Sequence, residues 1–308
     1  MLMKKSALII LCLFSQFIFS QTLETEVLLK DKISIRALQL WDGKVWYSGT
    51  DSKFGYVNLK DTADKKQMRL SDKKLEFRTL AQNNTHFYAI NILSPAYCYM
   101  INKRTLTSTI FRTDTLKTAF YDAFIFDKFG RGIAISDPTS NGNANPMIFS
   151  NPRPSDIGKR IKAAFPKYFP GEAHFAASNS NIAMAGNWVW MATGGAKARI
   201  FKFHWKDFTK WKAIETPFIQ GTSSQGIYSI DFYDKKFGIA VGGDYTKQAE
   251  NISNIATTHD GGETWQIQAS GKNAGYKTCV KIRPKSKGKD IIAVGDQNIE
   301  FSQDFGKT

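Results

Sequence analysis

Short apolar runs alternate with turn-forming residues along nearly the whole chain. The runs are rich in Val, Ile, Phe, Tyr and Trp, and they are separated by Gly, Asn, Asp and Lys. This composition is typical of β-strands and of the turns between them. No stretch shows a convincing helical period of apolar residues. The pattern therefore predicts an all-β protein.

Two segments of the chain repeat the same pattern. Residues 121–137 (YDAFIFDKFGRGIAISD) and 228–244 (YSIDFYDKKFGIAVGGD) each contain a strand, a turn with Asp-Lys, and a second strand that ends in small residues and an aspartate. Weaker copies occur at 37–49, 176–195 and 278–296. Internal periods of roughly 40 to 50 residues are typical of propeller blades. The repeats therefore predict a β-propeller of four-stranded blades, in which these segments are the first and second strands.

The number of blades follows from the positions of the repeats. Six units begin near Ser34, Phe77, Tyr121, Glu172, Gly226 and Tyr276. The sixth unit is incomplete at Thr308, and a closed ring of about seven blades is expected. We therefore expect one propeller domain over residues 21–308 that is truncated at its C-terminal end. In the alternative, residues 21–30 supply a strand to the closing blade, because a propeller protects its edges by closing.

Two segments, TTHDGGETW at 257–265 and FSQDFGKT at 301–308, fit an Asp box, S/T-x-D-x-G-x-T-W, although the second stops before its tryptophan. The Asp can accept hydrogen bonds from its own turn, the Gly supplies a positive φ, and the Trp covers the turn. We predict that the boxes clamp turns between third and fourth strands. Their residues are Thr258, Asp260, Gly262, Thr264 and Trp265 in the first box and Ser302, Asp304, Gly306 and Thr308 in the second. Decayed boxes at 102–108, 156–161 and 205–211 predict outer hairpins held by packing alone.

The Asp boxes and four further runs carry a family resemblance. The runs are GIAISDP at 132–138, GEAHFAAS at 171–178, ATGG at 192–195 and GIAVGGDY at 238–245. Together they resemble bacterial BNR-type propellers, which share the sialidase-like fold, and in particular exported proteins related to photosystem II stability and assembly factors. The resemblance covers nearly all of residues 21–308 and implies a propeller with a binding or assembly role. Some relatives carry the label oxidoreductase, but no G-x-G-x-x-G turn, Cys pair or haem motif supports it here.

The N-terminal segment has the pattern of a secretory signal. Lys4 and Lys5 precede an apolar run at 7–19, and the small residue Ser20 precedes Gln21. The run is too short for a membrane span. Residues 1–20 therefore predict export to the periplasm or the extracellular space, with cleavage near Ser20 and Gln21.

Lysines are spread along the whole chain and account for much of the formal net charge of +15. Because they form no long block, they indicate general surface charge, although such an excess can favour anionic partners such as acidic polysaccharide. We expect no nucleic-acid partner, no membrane span and a monomeric protein.

Cysteine and histidine give no sign of redox or metal chemistry. Beyond the signal segment, Cys98 and Cys279 lie in apolar runs several blades apart, which favours two buried free thiols over a disulfide. The histidines show no ligand spacing; they are His86, His174, His204 and His259. We therefore expect neither a metal nor a cofactor.

The longest connectors of the predicted ring are at 137–146, 162–171, 217–225 and 245–253, on blades three to five. They fall on the face opposite the Asp boxes. Long loops on one face of a rigid scaffold are where binding residues usually collect. The sequence therefore predicts a binding face for an unknown protein or glycan. Its candidate residues are Asp137, Glu172, Arg199, Ser224, Gln225, Asp244 and Tyr245.

Structural roles compete with binding at these positions. Asp137 and Asp244 occupy equivalent repeat positions, so each can instead cap its own loop through backbone N–H groups. Glu172 and Arg199 can form a buried strut. The aromatic residues of the connectors can pack over the blade ends rather than stack on a ligand; they are Phe165, Tyr168, Phe169 and Phe218.

A glycan hydrolase is the alternative function for the same face. Sialidases use Asp-box propellers and need three arginines around the substrate carboxylate, a Tyr–Glu pair and an acid/base carboxyl. Arg36, Arg199 and Arg283 lie on or beside predicted strands, but the aromatic-Arg-Ile-Pro run of sialidases is absent. The sequence therefore favours a binding or scaffold protein over an enzyme, and it assigns no catalytic residue.

Overall fold

The computed structural model describes residues 24–149 and 165–308. Within these ranges the chain forms strands, turns and loops and contains no helix. Accordingly, no helix in this part of the chain is long and apolar enough to cross a membrane. The predicted signal segment 1–20, its cleavage site and the decayed box at 156–161 lie outside the described residues.

The first two blades are antiparallel sheets of four strands in chain order. Blade one contains β1 (Ile35–Trp41), β2 (Lys44–Gly49), β3 (Lys53–Asn58) and β4 (Lys65–Arg69). Blade two contains β5 (Ala81–Gln82), β6 (His86–Ile90), β7 (Ala96–Asn102) and β8 (Ser108–Asp114). On β6, Phe87 and Ala89 pack towards blade one, whereas Tyr88 and Ile90 pack towards the next blade. Both faces of a blade are therefore buried, which explains its apolar runs.

Blades three and four continue the series. Blade three contains β9 (Tyr121–Phe126), β10 (Gly132–Ser136) and β11 (Asn145–Phe149). Blade four contains β13 (Ile182–Ala185), β14 (Trp188–Ala192), β16 (Arg199–His204) and β17 (Asp207–Glu215). Two short strands lie outside this sheet: β12 (Glu172–Ala173) precedes the blade, and β15 (Gly194–Gly195) lies between its second and third strands in the chain. The prediction that blade four begins near Glu172 is wrong, because Glu172 pairs with β15 and the first strand of the blade begins at Ile182.

Blades five and six complete the described series. Blade five contains β18 (Gln225–Phe232), β19 (Gly238–Asp244), β20 (Ile255–Thr258) and β21 (Gln266–Ile267). Blade six contains β22 (Cys279–Ile282), β23 (Ile291–Val294) and β24 (Ile299–Ser302). The short strands β12 and β15 extend the sheet of blade five at its inner edge, in the order β12-β15-β18-β19-β20-β21.

The first strands of successive blades lie beside one another. Contacts join β5 to β9, β9 to β13, β13 to β18 and β18 to β22. On β1, the Gln39 side chain donates to the Leu80 carbonyl at 2.8 Å, just before β5. Burial raises the pKa of Tyr276, just before β22, while Arg36 of β1 is close enough to act in the opposite direction. The sheets therefore surround a common axis, and the predicted β-propeller is confirmed.

The described residues form six blades, which correspond to the six units placed on the sequence. The repeat at 121–137 forms β9 and β10, and the repeat at 228–244 corresponds to β18 and β19. The alternative prediction that residues 21–30 supply a closing strand is wrong for the described part of this segment, because residues 24–30 form no strand. The chain that follows lies against blade one, where Lys53 donates to the Lys32 carbonyl at 3.0 Å.

The core consists of clusters between neighbouring blades. Between blades four and five, the Trp190 and Phe232 rings stack with centroids 3.6 Å apart and an interplanar angle of 9°. Trp265 contacts Phe232 edge-on at 6.0 Å. The Trp190 indole N–H donates to the Gly261 carbonyl at 2.9 Å, so this buried polar group is also satisfied. Stacked rings therefore join the two blades.

A polar segment, residues 178–180, crosses the axis of the ring. Asn179 donates to the Leu80 and Phe124 carbonyls at 2.9 and 3.2 Å and accepts from the Phe124 amide at 2.8 Å, which ties it to blades two and three. Its φ of 56° lies in the left-handed region that Asn tolerates. Asn179 therefore anchors one side of the crossing segment.

The neighbouring serines of this segment contact the opposite blades. Ser178 donates to the Thr278 carbonyl of blade six at 2.6 Å. The Ser180 hydroxyl lies 2.7 Å from the Ser229 hydroxyl of blade five. The segment is thus a central tie between blades that are not neighbours in sequence.

Candidate functional site

The order of the strands separates the connectors onto two faces of the ring. Turns after first and third strands lie at one end of the blades, whereas loops after second strands and connections between blades lie at the other end. The Asp-box turn follows the third strand β20, so it lies opposite the loops at 137–144 and 245–254. We call these two ends the Asp-box face and the long-loop face. The described parts of all four predicted connectors lie on the long-loop face.

Glu172 and Arg199 form a buried ion pair below the long-loop face. Arg199 Nε and Nη2 donate to the Glu172 carboxylate at 2.9 and 2.6 Å, and the two side chains are 7% and 0% exposed. Glu172 also accepts from the Thr193 hydroxyl at 2.7 Å and the Phe169 amide at 2.9 Å, while Arg199 donates to the Lys167 carbonyl at 2.8 Å. The pair is therefore the structural strut that the sequence allowed.

The aromatic residues of the connector at 165–171 divide between core and surface. Tyr168 is buried, and Phe165 is partly buried against the core of blade four. Phe218, from the next connector, is also buried. Phe169 differs, because it remains 45% exposed and the Arg199 guanidinium lies 4.6 Å from its ring centroid. Phe169 is thus an exposed ring that contacts the guanidinium group of the buried ion pair.

Asp137 joins blade three to the connector that follows it. Its carboxylate accepts from the His174 amide at 3.0 Å, and burial raises the pKa of Asp137 to about 6. Burial lowers the pKa of His174 to about 4, so this ring is neutral at pH 7. Because His174 Nδ1 faces the Ala192 carbonyl at 2.8 Å, it carries the hydrogen, and Nε2 accepts from Tyr168 Oη at 2.5 Å. Asp137 therefore bonds to the next connector rather than to its own loop.

Asp122, which sequence analysis did not identify, lies close to Asp137. It is fully buried, and neither of its carboxylate oxygens has a hydrogen-bond partner among the described residues. The nearby amide of Asp137 donates instead to the Phe120 carbonyl at 2.9 Å. Burial raises the pKa of Asp122 well above its usual value, and the charge of Asp137 acts in the same direction. The buried site of Asp122 therefore favours the protonated form of its carboxyl group.

Asp244, Ser224 and Gln225 meet at the end of blade five. Gln225 lies opposite Asp244 in the β18–β19 ladder. Asp244 accepts from the Thr246 amide and hydroxyl at 2.9 and 2.6 Å. Burial tends to raise the pKa of Asp244, but hydrogen bonds from Thr246, Ser224 and Gln225 outweigh it and lower the pKa. Asp244 therefore caps its own loop, the alternative that the sequence had left open.

Tyr245 follows the capped aspartate and is 49% exposed. Below it, the Tyr228 hydroxyl donates to the Ser224 carbonyl at 2.8 Å. The Tyr228 ring contacts the Tyr276 ring edge-on, with centroids 4.9 Å apart. Tyr245 thus presents a ring to solvent from a loop with an ordered polar base.

A glycine ladder connects the two groups of candidate residues. Glu172 on β12 pairs with Gly195, and Gly194 pairs with Gly226 on β18, whose partner strand ends at Asp244. A Cβ atom on Gly226 would lie 2.3 Å from Gly194 Cα, so the close approach requires glycine. The ATGG motif therefore has a structural role, and the groups around Glu172 and Asp244 belong to one sheet.

The three arginines considered for a hydrolase have different structural partners. Arg199 is bound to Glu172. Arg283 lies on blade six and donates to Asp290 at 3.1 Å, while Arg36 lies on β1. The structure gives Arg199 and Arg283 stabilising contacts rather than a shared anion site.

The first Asp box forms a hydrogen-bonded clamp on the opposite face. Asp260 accepts from the Thr258 hydroxyl at 2.8 Å and from the Thr264 amide and hydroxyl at 3.0 and 2.6 Å. Partial burial acts against these bonds, but they lower the pKa of Asp260 to about 2. The Gly262 amide donates to Thr258 at 2.8 Å, and the Trp265 indole donates to the Gly262 carbonyl at 3.2 Å. Each residue of the motif therefore stabilises the turn.

The second box repeats this geometry in blade six. Ser302 donates to Asp304 at 2.7 Å, and the Gly306 amide donates to Ser302 at 3.0 Å. Asp304 also accepts from the Thr308 amide and hydroxyl at 3.1 and 2.8 Å. The two boxes are therefore equivalent local structures.

The two decayed boxes within the described residues, at 102–108 and 205–211, are not held by packing alone, which corrects that expectation for them. In blade two, Asn102 accepts from the Arg104 and Thr105 amides at 2.9 and 3.1 Å. In blade four, the Trp211 indole donates to the Phe208 carbonyl at 2.7 Å. An amide oxygen thus replaces the carboxylate in blade two, because it accepts the same backbone hydrogen bonds.

Both cysteines of the described chain are free thiols. Cys98 is fully buried, and this burial raises its pKa to about 12. Cys279 is only half-buried, which corrects the expectation that both would be buried. The described residues also contain no group of three or more His, Cys, Asp or Glu side chains that could hold a metal ion.

Comparison with known proteins identifies the fold but no family. No protein-family model and no curated protein matches the chain. Among solved structures, it is similar to the RRP9 WD40 repeats, with a TM-score of 0.61 and 10% identity over 90% of this chain and 78% of that chain. It is also similar to a chain of the mitotic checkpoint complex, with a TM-score of 0.60 and 12% identity over 89% of this chain and 76% of that one.

A third similar structure is YCF48 bound to D1 peptide, with a TM-score of 0.58 and 13% identity over 91% of this chain and 82% of that chain. The fold is a β-propeller. Such low identities establish the fold alone, so membership of the BNR group remains a prediction.

Proposed function

We propose that this protein is a binding or scaffold propeller that holds a protein partner on its long-loop face. The observation that carries the proposal is the presence of two exposed rings, Phe169 and Tyr245, on loops fixed by buried polar groups. Aromatic side chains of this kind dominate the binding energy of many protein interfaces. The two rings are therefore the proposed anchors for the partner.

The long-loop face carries two further exposed apolar side chains. Leu93, in the loop between β6 and β7, is 60% exposed, and Ile252, in the loop between β19 and β20, is 56% exposed. Both loops follow second strands and therefore belong to the long-loop face. A contiguous exposed apolar patch is typical of protein interaction sites, and we propose that these side chains contribute to one. Their presence favours a polypeptide partner.

The loops are also preorganised. Glu172 accepts the Phe169 amide, and Asp244 caps the turn that follows Tyr245 through Thr246. Binding through rings that are already held in place costs less conformational entropy. The buried candidate residues therefore position the exposed ones and do not contact the partner themselves.

The character of the partner follows from two analogies. One similar structure contains a bound D1 peptide, and the motifs of this chain resemble exported photosystem II assembly factors. On this basis we propose that the partner contributes an extended peptide segment. We also propose that the two proteins bind outside the cytoplasm, since residues 1–20 have the pattern of an export signal. Hydrolysis of glycans is not proposed, because Glu172 and Arg199 bind each other.

Affinity purification from the cell that makes the protein tests this function. Phe169→Ser and Tyr245→Ser should each reduce recovery of the same co-purifying protein by about tenfold, a change equivalent to about 1.4 kcal/mol. Phe129→Ser is the matched control, because Phe129 is 54% exposed in the β9–β10 turn on the Asp-box face. Equal recovery with all three variants would reject the long-loop face as the binding surface.

A further inference from the structure

A cleft of about 840 Å³ opens on the Asp-box face between blades four and five. Its rim is formed by two hairpin turns. Gly186 and Asn187 belong to the turn between β13 and β14, and Asp234, Lys235 and Lys236 belong to the turn between β18 and β19. The cleft is therefore separate from the long-loop face proposed for the protein partner.

Aromatic rings form the floor of this cleft. The half-buried Trp188 ring meets the His204 ring edge-on, with centroids 4.8 Å apart and an angle of 75°. Lys202 Nζ lies 4.4 Å from the Trp188 ring centroid. Phe232, which also lines the cleft, is fixed from behind by its stack on Trp190. The floor is thus a partly open aromatic surface with a rigid support.

A second cleft, of about 270 Å³, shares Trp188 and His204 with the first. Lys210 and Lys212 line its far end. Both clefts are lined by Trp188 and His204, and we call these two adjoining clefts together the Trp188 groove. A ligand that packs on the central ring can reach Lys235 and Lys236 at the rim of the larger cleft.

The groove carries an excess of positive charge. Its lining residues include five lysines and three carboxylates. Glu263 pairs with Lys202 and Lys212, and Asp207 pairs with Lys210, so three of the five lysines have a carboxylate partner. Lys235 and Lys236 form no ion pair with any described residue. The exposed rim therefore offers two cations without a carboxylate partner in that part of the chain.

We propose that the Trp188 groove binds an acidic oligosaccharide. The apolar face of a pyranose ring would pack on Trp188, in the way that an aromatic ring supplies apolar contact area to a ligand. Carboxylates of neighbouring uronate units would pair with Lys235 and Lys236, and Asn187 would hydrogen-bond to sugar hydroxyls. Single-stranded nucleic acid fits less well, because it stacks successive bases on several aromatic platforms, whereas the floor offers the one half-buried indole of Trp188.

Titration with tetragalacturonate, monitored by tryptophan fluorescence and calorimetry, tests this assignment. Cellotetraose serves as the neutral probe and an oligo-dT of similar length as the nucleic-acid probe. The account predicts binding of tetragalacturonate that weakens as salt is added, with cellotetraose and oligo-dT at least about tenfold weaker. Trp188→Ala should weaken tetragalacturonate binding by about tenfold, whereas Trp188→Phe should retain most of it.

The lysine pair has a matched control on another blade. Lys235→Gln with Lys236→Gln should weaken tetragalacturonate binding by about fivefold and reduce its salt dependence. Lys65→Gln with Lys66→Gln changes the net charge equally on the exposed β4 strand of blade one and should leave binding unchanged. Both lysine pairs are exposed, so these variants should fold, as circular dichroism would verify.

Three results would overturn the proposal. They are the absence of tetragalacturonate binding to the wild type, equal binding of cellotetraose or oligo-dT, and equal losses from the two lysine pairs. The last result would show attraction to the overall charge of the protein rather than a site. These outcomes are independent of the affinity purification, which tests the opposite face.

Discussion

The Glu172 carboxylate receives two hydrogen bonds from the Arg199 guanidinium, at 2.9 and 2.6 Å, inside the protein. From this pair, further bonds reach the Phe169 amide and the Lys167 carbonyl. The ion pair therefore fixes the connector that presents an exposed aromatic ring. Its charges serve the geometry of the loop and are not available to a ligand.

Breaking this pair from one side should be costly. Glu172→Gln leaves a buried guanidinium without its counter-charge, and Arg199→Gln leaves a buried carboxylate, so we expect each to lower the free energy of unfolding by about 3 to 5 kcal/mol. The double variant should lose clearly less than the sum, as measured by urea denaturation. Glu215→Gln is the control, because Glu215 forms an exposed pair with Lys197 and should change stability by less than about 1 kcal/mol. Additive losses would refute the coupling.

The first Asp box should depend on its tryptophan. Trp265 is 7% exposed and belongs to the core cluster between blades four and five. Trp265→Ala should lower the free energy of unfolding by about 3 to 5 kcal/mol, since it removes a large buried side chain. Trp265→Phe should cost less because part of the volume remains. A loss below about 1 kcal/mol for Trp265→Ala in denaturant titrations would show that the clamp does not need this ring.

Asp137 and His174 should give opposite pH dependences of stability. Burial raises the pKa of Asp137 to about 6, so its contribution to stability is present at low pH and lost as the pH rises from about 4 to about 6. Burial lowers the pKa of His174 to about 4, so its contribution is present above about pH 6.5 and lost as the pH falls towards 4.

Melting temperatures of two variants separate these contributions. Relative to wild type, Asp137→Asn should become more stable as the pH rises from about 4 to about 6, because Asn cannot ionise. Over a similar range, His174→Gln should become less stable relative to wild type as the pH rises, because it lacks the gain that wild type makes. Differences that do not change with pH would contradict the assigned protonation states.

The central tie predicts a strong effect of Asn179. Asn179→Ala removes three hydrogen bonds, takes this partner from the amide and carbonyl of Phe124, and places Ala at a φ of 56°. We expect a loss of at least about 2 kcal/mol in the free energy of unfolding. Asn187→Ala, at a half-buried position in the β13–β14 turn on the Asp-box face, is the control. Equal stability of the two variants would show that residues 178–180 do not hold the ring together.

Sequence periodicity is sufficient to predict the strands whose apolar residues pack between neighbouring blades. The strands at 121–126 and 228–232 repeat the same apolar pattern because both faces of a blade are buried. The Asp boxes could also be located, because every bond of the clamp lies within a few residues. Blade four was placed incorrectly, because the pairing of β12 with β15 involves two-residue strands and Gly194 and Gly195 carry no apolar alternation.

Sequence periodicity does not predict the long-range contacts inside the ring. Asn179 and Leu80 are 99 positions apart, and no periodic pattern links them. Asp122 occupies in blade three the repeat position that Ser229 occupies in blade five, so the repeat alone does not distinguish the two sites. The burial of Asp122 beside Asp137 depends on a third segment, the connector with Tyr168 and His174. Tyr168 is likewise buried through contacts with the His174 and Phe201 rings, which no local pattern links to it, whereas its neighbour Phe169 is exposed.

Site-specific photo-crosslinking tests the proposed binding face most directly. A benzophenone amino acid at position 169 or 245 replaces one ring by another and should form an adduct with the same protein from both positions in the cell that makes this chain. The same group at Phe129, equally aromatic and exposed on the Asp-box face, should not form it. An adduct of that mass from position 129, or none from 169 and 245, would contradict the account.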